Sequence, residues 1–171
     1  MLKLNPEIKL IISIGNPTKE YEFTRHNAGH LVLDKLTAHT PGGILTGAHP
    51  FLKKGEFNID ECKVYKSDMF MNLSGDFVAR KLNFLKLQPK NLLILHDDLD
   101  LKIGEYKLQF GKGPRIHNGV NSIEQTLKTK DFWRLRIGID SRPADSQESG
   151  RDFVLNRFTK EQLEMMLGMF E

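Results

Sequence analysis

An apolar run, Leu10-Ile11-Ile12, stops at Gly15-Asn16-Pro17, and an Arg25-His26-Asn27 triplet follows just ahead of an amphipathic segment. This stretch constrains the fold more than any other. A short β-branched run closed by glycine reads as a buried strand from Lys9 to Gly15. Ala28, Leu31, Val32 and Leu36 then recur at helical spacing, predicting a helix to about Ala38. Between strand and helix lies a short polar loop. In open α/β sheets, ligands bind at the carboxyl ends of strands, where such loops sit. A histidine placed there is a candidate base, because its charge changes near physiological pH.

Pro41-Gly42-Gly43 breaks the helix, and a loop is expected to about Pro50. Two short strands are expected next, Phe51 to Lys54 and Phe57 to Lys66, with a polar bend between them. Ser74 is a natural N-cap, and Phe77, Val78, Leu82 and Leu85 form a helical stripe behind it. Asn91 to Leu95 reads as another buried strand running into His96-Asp97-Asp98-Leu99-Asp100. Gly104 to Phe110 alternates, with Tyr106, Leu108 and Phe110 on one face. A glycine-bearing loop, Gly111 to Arg115, precedes Ile116-His117-Asn118-Gly119, and Val120, Ile123 and Leu127 mark a short helix. Trp133 to Ile139 alternates again and puts Arg134 and Arg136 on one side. Ser141 to Gly150 is polar and reads as a surface loop. Thr159 and Gln162 form a capping box ahead of Leu163, Met166, Leu167 and Phe170. Strands mixed with helices, without repeats, predict an α/β fold. Residues 1–171 are expected to form a single domain, with a mixed central β-sheet flanked by helices.

The chain has 171 residues, of which 39% are hydrophobic and 27% charged, enough for one domain with a real core. Its formal net charge of +3 permits a polyanionic partner without demanding one. Cys62 is the only cysteine, which removes any intramolecular disulfide and points to a reducing compartment. No apolar run approaches the ~18 residues of a membrane helix. The N-terminus is too short and mixed for a signal peptide.

Three blocks place polar groups at strand ends or helix starts: Asn16 with His26, Met71 with Asn72, and Asp97 with His117 and Asn118. If their strands are neighbours in one sheet, the blocks share a rim. The first block resembles the signature of the bacterial-type peptidyl-tRNA hydrolases, Gly-x-Gly-Asn-Pro-Gly, then Tyr, then Thr-Arg-His-Asn-x-Gly. The matching residues are Gly15-Asn16-Pro17, Tyr21 and Thr24-Arg25-His26-Asn27-Ala28-Gly29, with Ser13 and Thr18 where the family has glycine. The His96-Asp97-Asp98-Leu99-Asp100 block and His117-Asn118-Gly119 fit the family as well, so the resemblance spans nearly the whole chain.

The resemblance implies an esterase that releases peptides from tRNA during translation, without metal or other cofactor. Its substrate would be peptidyl-tRNA: the acceptor stem and 3′ end of tRNA together with the nascent peptide. His26 is the candidate general base. A neutral imidazole can take a proton from water as the water attacks the ester, an effect typically worth roughly 10²–10⁴-fold. An isolated histidine here would be read as a surface or capping residue; the signature reverses that preference. Asp97 is the orienter, fixing the far ring nitrogen and stabilising the imidazolium as in triad logic. Asn118 can hold the attacking water or the developing oxyanion, a donor worth on the order of 2.7–4 kcal/mol.

Asn16 and Asn72 can both donate to and accept from peptide backbone, and the family uses the Asn16 position to distinguish blocked aminoacyl groups. Tyr21 and Phe70 match positions around the tRNA end, where an aromatic face stacks on a base for roughly 1–3 kcal/mol. Met71 is expected as an apolar wall. Lys107, Arg134 and Arg136 are the candidate phosphate contacts, and Lys107 and Arg136 fall where the family is basic. A monomer is expected, with no membrane partner, in the cytoplasm or alternatively in the mitochondrial matrix.

The sequence departs from the family pattern in two places. The glycine-dense loop before His-Asn-Gly is Gly111-Lys112-Gly113-Pro114-Arg115-Ile116, stiffer than usual and with two added cations. The last helix ends with the chain at Glu171, and the expected consequence falls on substrate range rather than chemistry. Two other readings compete. A non-catalytic RNA-binding protein on the same scaffold would show affinity without turnover. A metal-dependent phosphoesterase would use Asp97, Asp98 and Asp100, but there is no second acidic or histidine cluster with ligand spacing.

Overall fold

A computed structural model describes residues 5–38, 57–59 and 62–170. Six strands form one mixed sheet: β1 (Leu10–Ser13), β2 (Phe57–Ile59), β3 (Cys62–Lys66), β4 (Leu92–Lys102), β5 (Tyr106–Phe110) and β6 (Trp133–Asp140). Their spatial order is β2-β3-β1-β4-β6-β5. The four inner strands are parallel, and the two edge strands, β2 and β5, pair antiparallel.

Every residue of β1 is buried. Parallel strands covered on both faces read as continuous apolar runs, and Leu10-Ile11-Ile12 is one. Alternation then sorts the side chains. Leu10 and Ile12 join Leu92, Ile94, Phe77, Val78 and Ile123 in one apolar cluster. Ile11 joins Leu93, Leu95, Leu135, Val32 and Met166 in the other. The helices supply the covering layers. On the first face lie α2 (Ser74–Leu85) and α3 (Asn118–Leu127); on the second lie α1 (Ala28–Thr37), α4 (Gly150–Leu155) and α5 (Lys160–Gly168). The first turn of α1 docks directly on β4. A Cβ at Gly29 would run into the Leu95 carbonyl, so only glycine allows that approach.

The structure differs from the sequence expectations at several points. Phe57 to Lys66 is not one strand but two antiparallel ones, with Phe57 opposite Val64. The expected loop to Pro50 and the strand from Phe51 to Lys54 lie outside the described residues. Ser74 does not cap its helix. A 3-10 turn, Met71–Leu73, precedes it, and the Ser74 hydroxyl donates to the Met71 carbonyl at 2.8 Å. The strand expected to end at Leu95 continues to Lys102, because β6 pairs alongside it from Leu93 to Asp98. The helix α4 was not expected at all. Its N-cap is Ser149, whose hydroxyl accepts from the Asp152 backbone N–H. The Thr159–Gln162 capping box opens α5 as expected. Among the described residues, no helix is long and apolar enough to cross a membrane.

Candidate active site

The site follows from unequal strand lengths. β1 ends at Ser13, level with Leu95, while β4 continues past it. Asp97 therefore stands on β4 beyond the end of its neighbour, at the rim where loops from both faces of the sheet meet. One face contributes the 3-10 turn Arg25–Asn27, which leads into α1. The other contributes His117 at the start of α3.

The turn that carries His26 is braced from several directions. Arg25 donates from its backbone N–H to the Asn156 carbonyl at 3.0 Å, and its guanidinium lies 4.1 Å from the centroid of the Phe153 ring. Its far nitrogen donates to Gln162 at 3.0 Å. Burial pulls the Arg25 pKa down, opposed by the charge of Glu148. Asn27 grips the next strand end. Its side-chain oxygen accepts from the Asn16 N–H at 2.8 Å, and its amide nitrogen donates to the Asn16 carbonyl at 3.0 Å. The Asn16 side chain in turn accepts from the Met71 N–H at 3.0 Å. That contact must use the oxygen, so the amide nitrogen of Asn16 remains available as a donor.

Asp97 is 1% exposed and accepts from two imidazoles. His26 Nδ1 lies 2.9 and 3.0 Å from its two oxygens, and His117 Nε2 lies 2.8 Å from Oδ1. The tautomers follow from the partners. His117 Nδ1 accepts from the backbone N–H groups of Gly119 (3.1 Å) and Val120 (3.2 Å), as the N-cap of α3. The proton of a neutral His117 must then sit on Nε2 and point at Asp97. His26 donates to Asp97 from Nδ1, which leaves Nε2 with its lone pair. Burial lowers the His26 pKa, but the charge of Asp97 and its hydrogen bond outweigh that, and the net shift is upward from 6.5. Burial alone would lift Asp97. The two imidazoles reverse this and hold its carboxyl far below the usual carboxylate range.

His96, fully buried behind Asp97, is pushed down to about 3 by burial first and by His117 second. It is therefore neutral. Its Nδ1 lies 2.6 Å from the Asp97 carbonyl, fixing the strand at the residue that matters.

The ligand-type atoms of His26, Asp97 and His117 lie within 4.8 Å of one another. Their wiring is that of a proton network. To hold a cation, both ring nitrogens facing Asp97 would have to give up their protons, and His117 would have to change tautomer or abandon its cap. Asp98 is no part of that cluster. Successive strand residues face opposite ways, and Asp98 instead accepts from Arg136 Nε at 2.6 Å. The three-aspartate metal site is thereby broken up.

The sequence profile described as "Peptidyl-tRNA hydrolase" matches residues 10–171. A curated peptidyl-tRNA hydrolase from Citrifermentans bemidjiense is 40% identical over 165 residues, covering 95% of this chain and 86% of the relative. One from Lawsonia intracellularis is 40% identical over 163 residues, covering 94% and 81%. The crystal structure of peptidyl-tRNA hydrolase from Acinetobacter baumannii superimposes with a TM-score of 0.80 at 32% identity, covering 98% of this chain and 85% of that one. The chain belongs to the peptidyl-tRNA hydrolase family.

Within that family frame, the expected residues divide into two groups. His26 and Asp97 meet directly, and Asn16 and Met71 are hydrogen-bonded beside them, Met71 buried at 4% exposure. Asn72 and Asn118 are exposed and share one groove. Tyr21 is half-buried at the end of the turn Lys19–Tyr21, and Phe70, 45% exposed, precedes Met71.

Lys107 is exposed on β5, opposite Arg136 across the strand pair. The two arginines do share a face, but they turn inward. Arg134 is 1% exposed; it pairs with Glu124 at 2.9 Å and donates to the Gly113 carbonyl. Arg136 binds Asp98 and donates to Gln109 at 2.7 Å. The expectation of a phosphate-facing Arg134 does not fit this burial. Both side chains support the Gly111–Ile116 loop from below.

Sequence reasoning gave His117 no role of its own. The available signal was its position: a histidine where Ser, Thr, Asp or Asn usually caps a helix.

Proposed function

We propose that the chain hydrolyses the ester between a peptide and the ribose of tRNA, with the His26–Asp97 pair at its centre. Water attacks the ester carbonyl while His26 Nε2 takes its proton. The imidazolium that forms is stabilised by Asp97, already ionised at any working pH. The tetrahedral intermediate then expels the ribose oxygen, which recovers the proton from His26. The products are a free peptide carboxylate and a tRNA with its hydroxyl restored. Asn118 and the free amide nitrogen of Asn16 are the nearby donors for the developing oxyanion and for the peptide carbonyl. Asn72, Tyr21, Phe70 and Met71 line the approach of the substrate end. Lys107 takes a phosphate, and the exposed loop cations Lys112 and Arg115 add to it.

The observation that carries this reading is the bidentate approach of His26 Nδ1 to Asp97, with the opposite ring nitrogen left as a base. The site is complete within one chain, which suits a monomer. The substrate puts the enzyme where translation runs, in the cytoplasm or a mitochondrial matrix. The test is His26→Ala. Release of N-acetylated amino acid from tRNA should fall by about 10²–10⁴-fold, with tRNA affinity nearly unchanged. Undiminished turnover would remove the proposal.

A further inference from the structure

Ile116 stands just before His117, the N-cap of α3, and is 80% exposed. A hydrophobic residue at that position often staples itself to an apolar partner at the fourth residue of the helix. Here the fourth residue is Asn121, itself exposed. The staple lacks its second half, so packing does not account for the isoleucine. The backbone that carries it is nevertheless fixed on both sides. Ahead of it, the Gly113 carbonyl accepts from Arg134, and the Arg115 N–H donates to Asp100 at 2.9 Å. Gly113 lies so close to the Arg136 guanidinium that a Cβ there would collide with it. Behind it, His117 is held through both ring nitrogens, by Asp97 and by the α3 backbone. An apolar side chain is thus held in the open, one residue from a ring that touches Asp97. A β-branched side chain on a fixed backbone has little freedom left to lose on binding.

We infer that Ile116 is a specificity contact for the terminal nucleoside of the tRNA 3′ end, which packs against its methyl groups; the inference rests on the ester-hydrolase reading above. The occupant follows from charge and from chain order. Lys107, Lys112 and Arg115 are exposed on β5 and on the loop that ends at Ile116, so phosphates are drawn to this side. Ile116 falls between the loop cations and His117. An RNA end whose phosphates meet those cations and whose ester meets His26 brings its last nucleoside past Ile116. The face of a base and the C–H edge of a ribose are apolar, and burying them against an aliphatic side chain is favourable. A contact of this kind lets the enzyme sense whether the 3′ end is complete.

The experiment measures binding of two deacylated tRNAs, one complete and one lacking its 3′-terminal nucleotide. The wild type should bind the complete tRNA about tenfold more tightly, and Ile116→Ser should lose most of that difference. Ile116→Leu should keep it. Ile116→Ser should bind the truncated tRNA within about twofold of wild type, with the same salt dependence. Its urea unfolding should also match wild type, because the side chain removed is exposed. If Ile116→Ser discriminates between the two tRNAs as the wild type does, the inference is overturned. An equal loss on both tRNAs overturns it too, by placing the contact on the stem. So does a defect confined to cleavage of N-acetyl-aminoacyl-tRNA, which would assign the side chain to the peptide. If the wild type does not cleave N-acetyl-aminoacyl-tRNA at all, the ester-hydrolase reading fails and takes this inference with it.

Discussion

Asp97 accepts from two rings, and in the proposed mechanism only one of them, His26, serves as the base. His117 is locked by the α3 backbone with its Nε2 proton on Asp97, so the carboxylate stays charged and presents its remaining capacity to His26. The pH dependence follows with a definite sign. A base works unprotonated, and Asp97 holds the His26 proton more tightly than water does, so the acidic limb of kcat should lie above pH 6.5. In Asp97→Asn, burial is left as the larger influence, and the limb should move below its wild-type position while kcat falls by about 10²–10⁴-fold. Rate–pH profiles of both proteins check this; a limb that stays put in the variant would mean another group governs it. His26 and Asp97 were legible in sequence because each sits in a recognisable block. His117 was not, because its importance lies in having two partners at once, one on its own helix and one across the sheet, and only the second is invisible to local pattern.

At the scale of elements, local periodicity located β1, α1, β5, α3 and β6, and it failed where tertiary contact decides. α4 has only Phe153 and Val154 buried, too few for a readable stripe; the Arg25 guanidinium over Phe153 gives it a reason to exist. β4 outran its apolar run because its polar end is paired by β6 and by charged partners such as Arg136. The end of α2 carries a cost that sequence alone does not show. Lys86 is its C-cap at φ 54, in the left-handed region that crowds a Cβ. Its backbone N–H still closes on Asn83 and Leu82, so the geometry is needed and the side chain is not. Lys86→Gly should stabilise the fold by about 0.5–1 kcal/mol, the strain relieved exceeding the entropy glycine adds to the unfolded chain. Urea unfolding measures it, with activity expected to stay at the wild-type level; a loss of stability would contradict the cap assignment.

Across the whole molecule, sequence predicted one mixed α/β sheet but could not give the strand order, since that depends on which edges meet rather than on any one segment. The order is what turns Arg134 and Arg136 inward. β6 lies between β4 and β5, so its arginines on one face meet Asp98, Gln109 and the Gly113 loop instead of solvent. Alternation correctly put them on one side and said nothing about what that side faces. Among the described residues, the exposed cations of β5 and the Gly111–Ile116 loop include Lys107, Lys112 and Arg115, the last paired with Asp100 at 3.7 Å, and these should carry part of the salt dependence of tRNA binding. Each phosphate neutralised contributes about 0.7–0.9 to the slope of log affinity against log salt. Lys107→Ala and Arg115→Ala should therefore each flatten that slope by nearly one contact, with little change in stability. Arg134→Ala should act differently. It leaves the Gly113 carbonyl without its donor and Glu124 without its buried partner, costing on the order of 1–3 kcal/mol of folding stability. The slope per bound protein should hold, because the Arg134 side chain is buried and paired with Glu124. Affinity titrations across a salt series, paired with urea melts, separate the two behaviours. An Arg134→Ala protein of unchanged stability and flattened slope would place that guanidinium on the RNA, which its 1% exposure argues against.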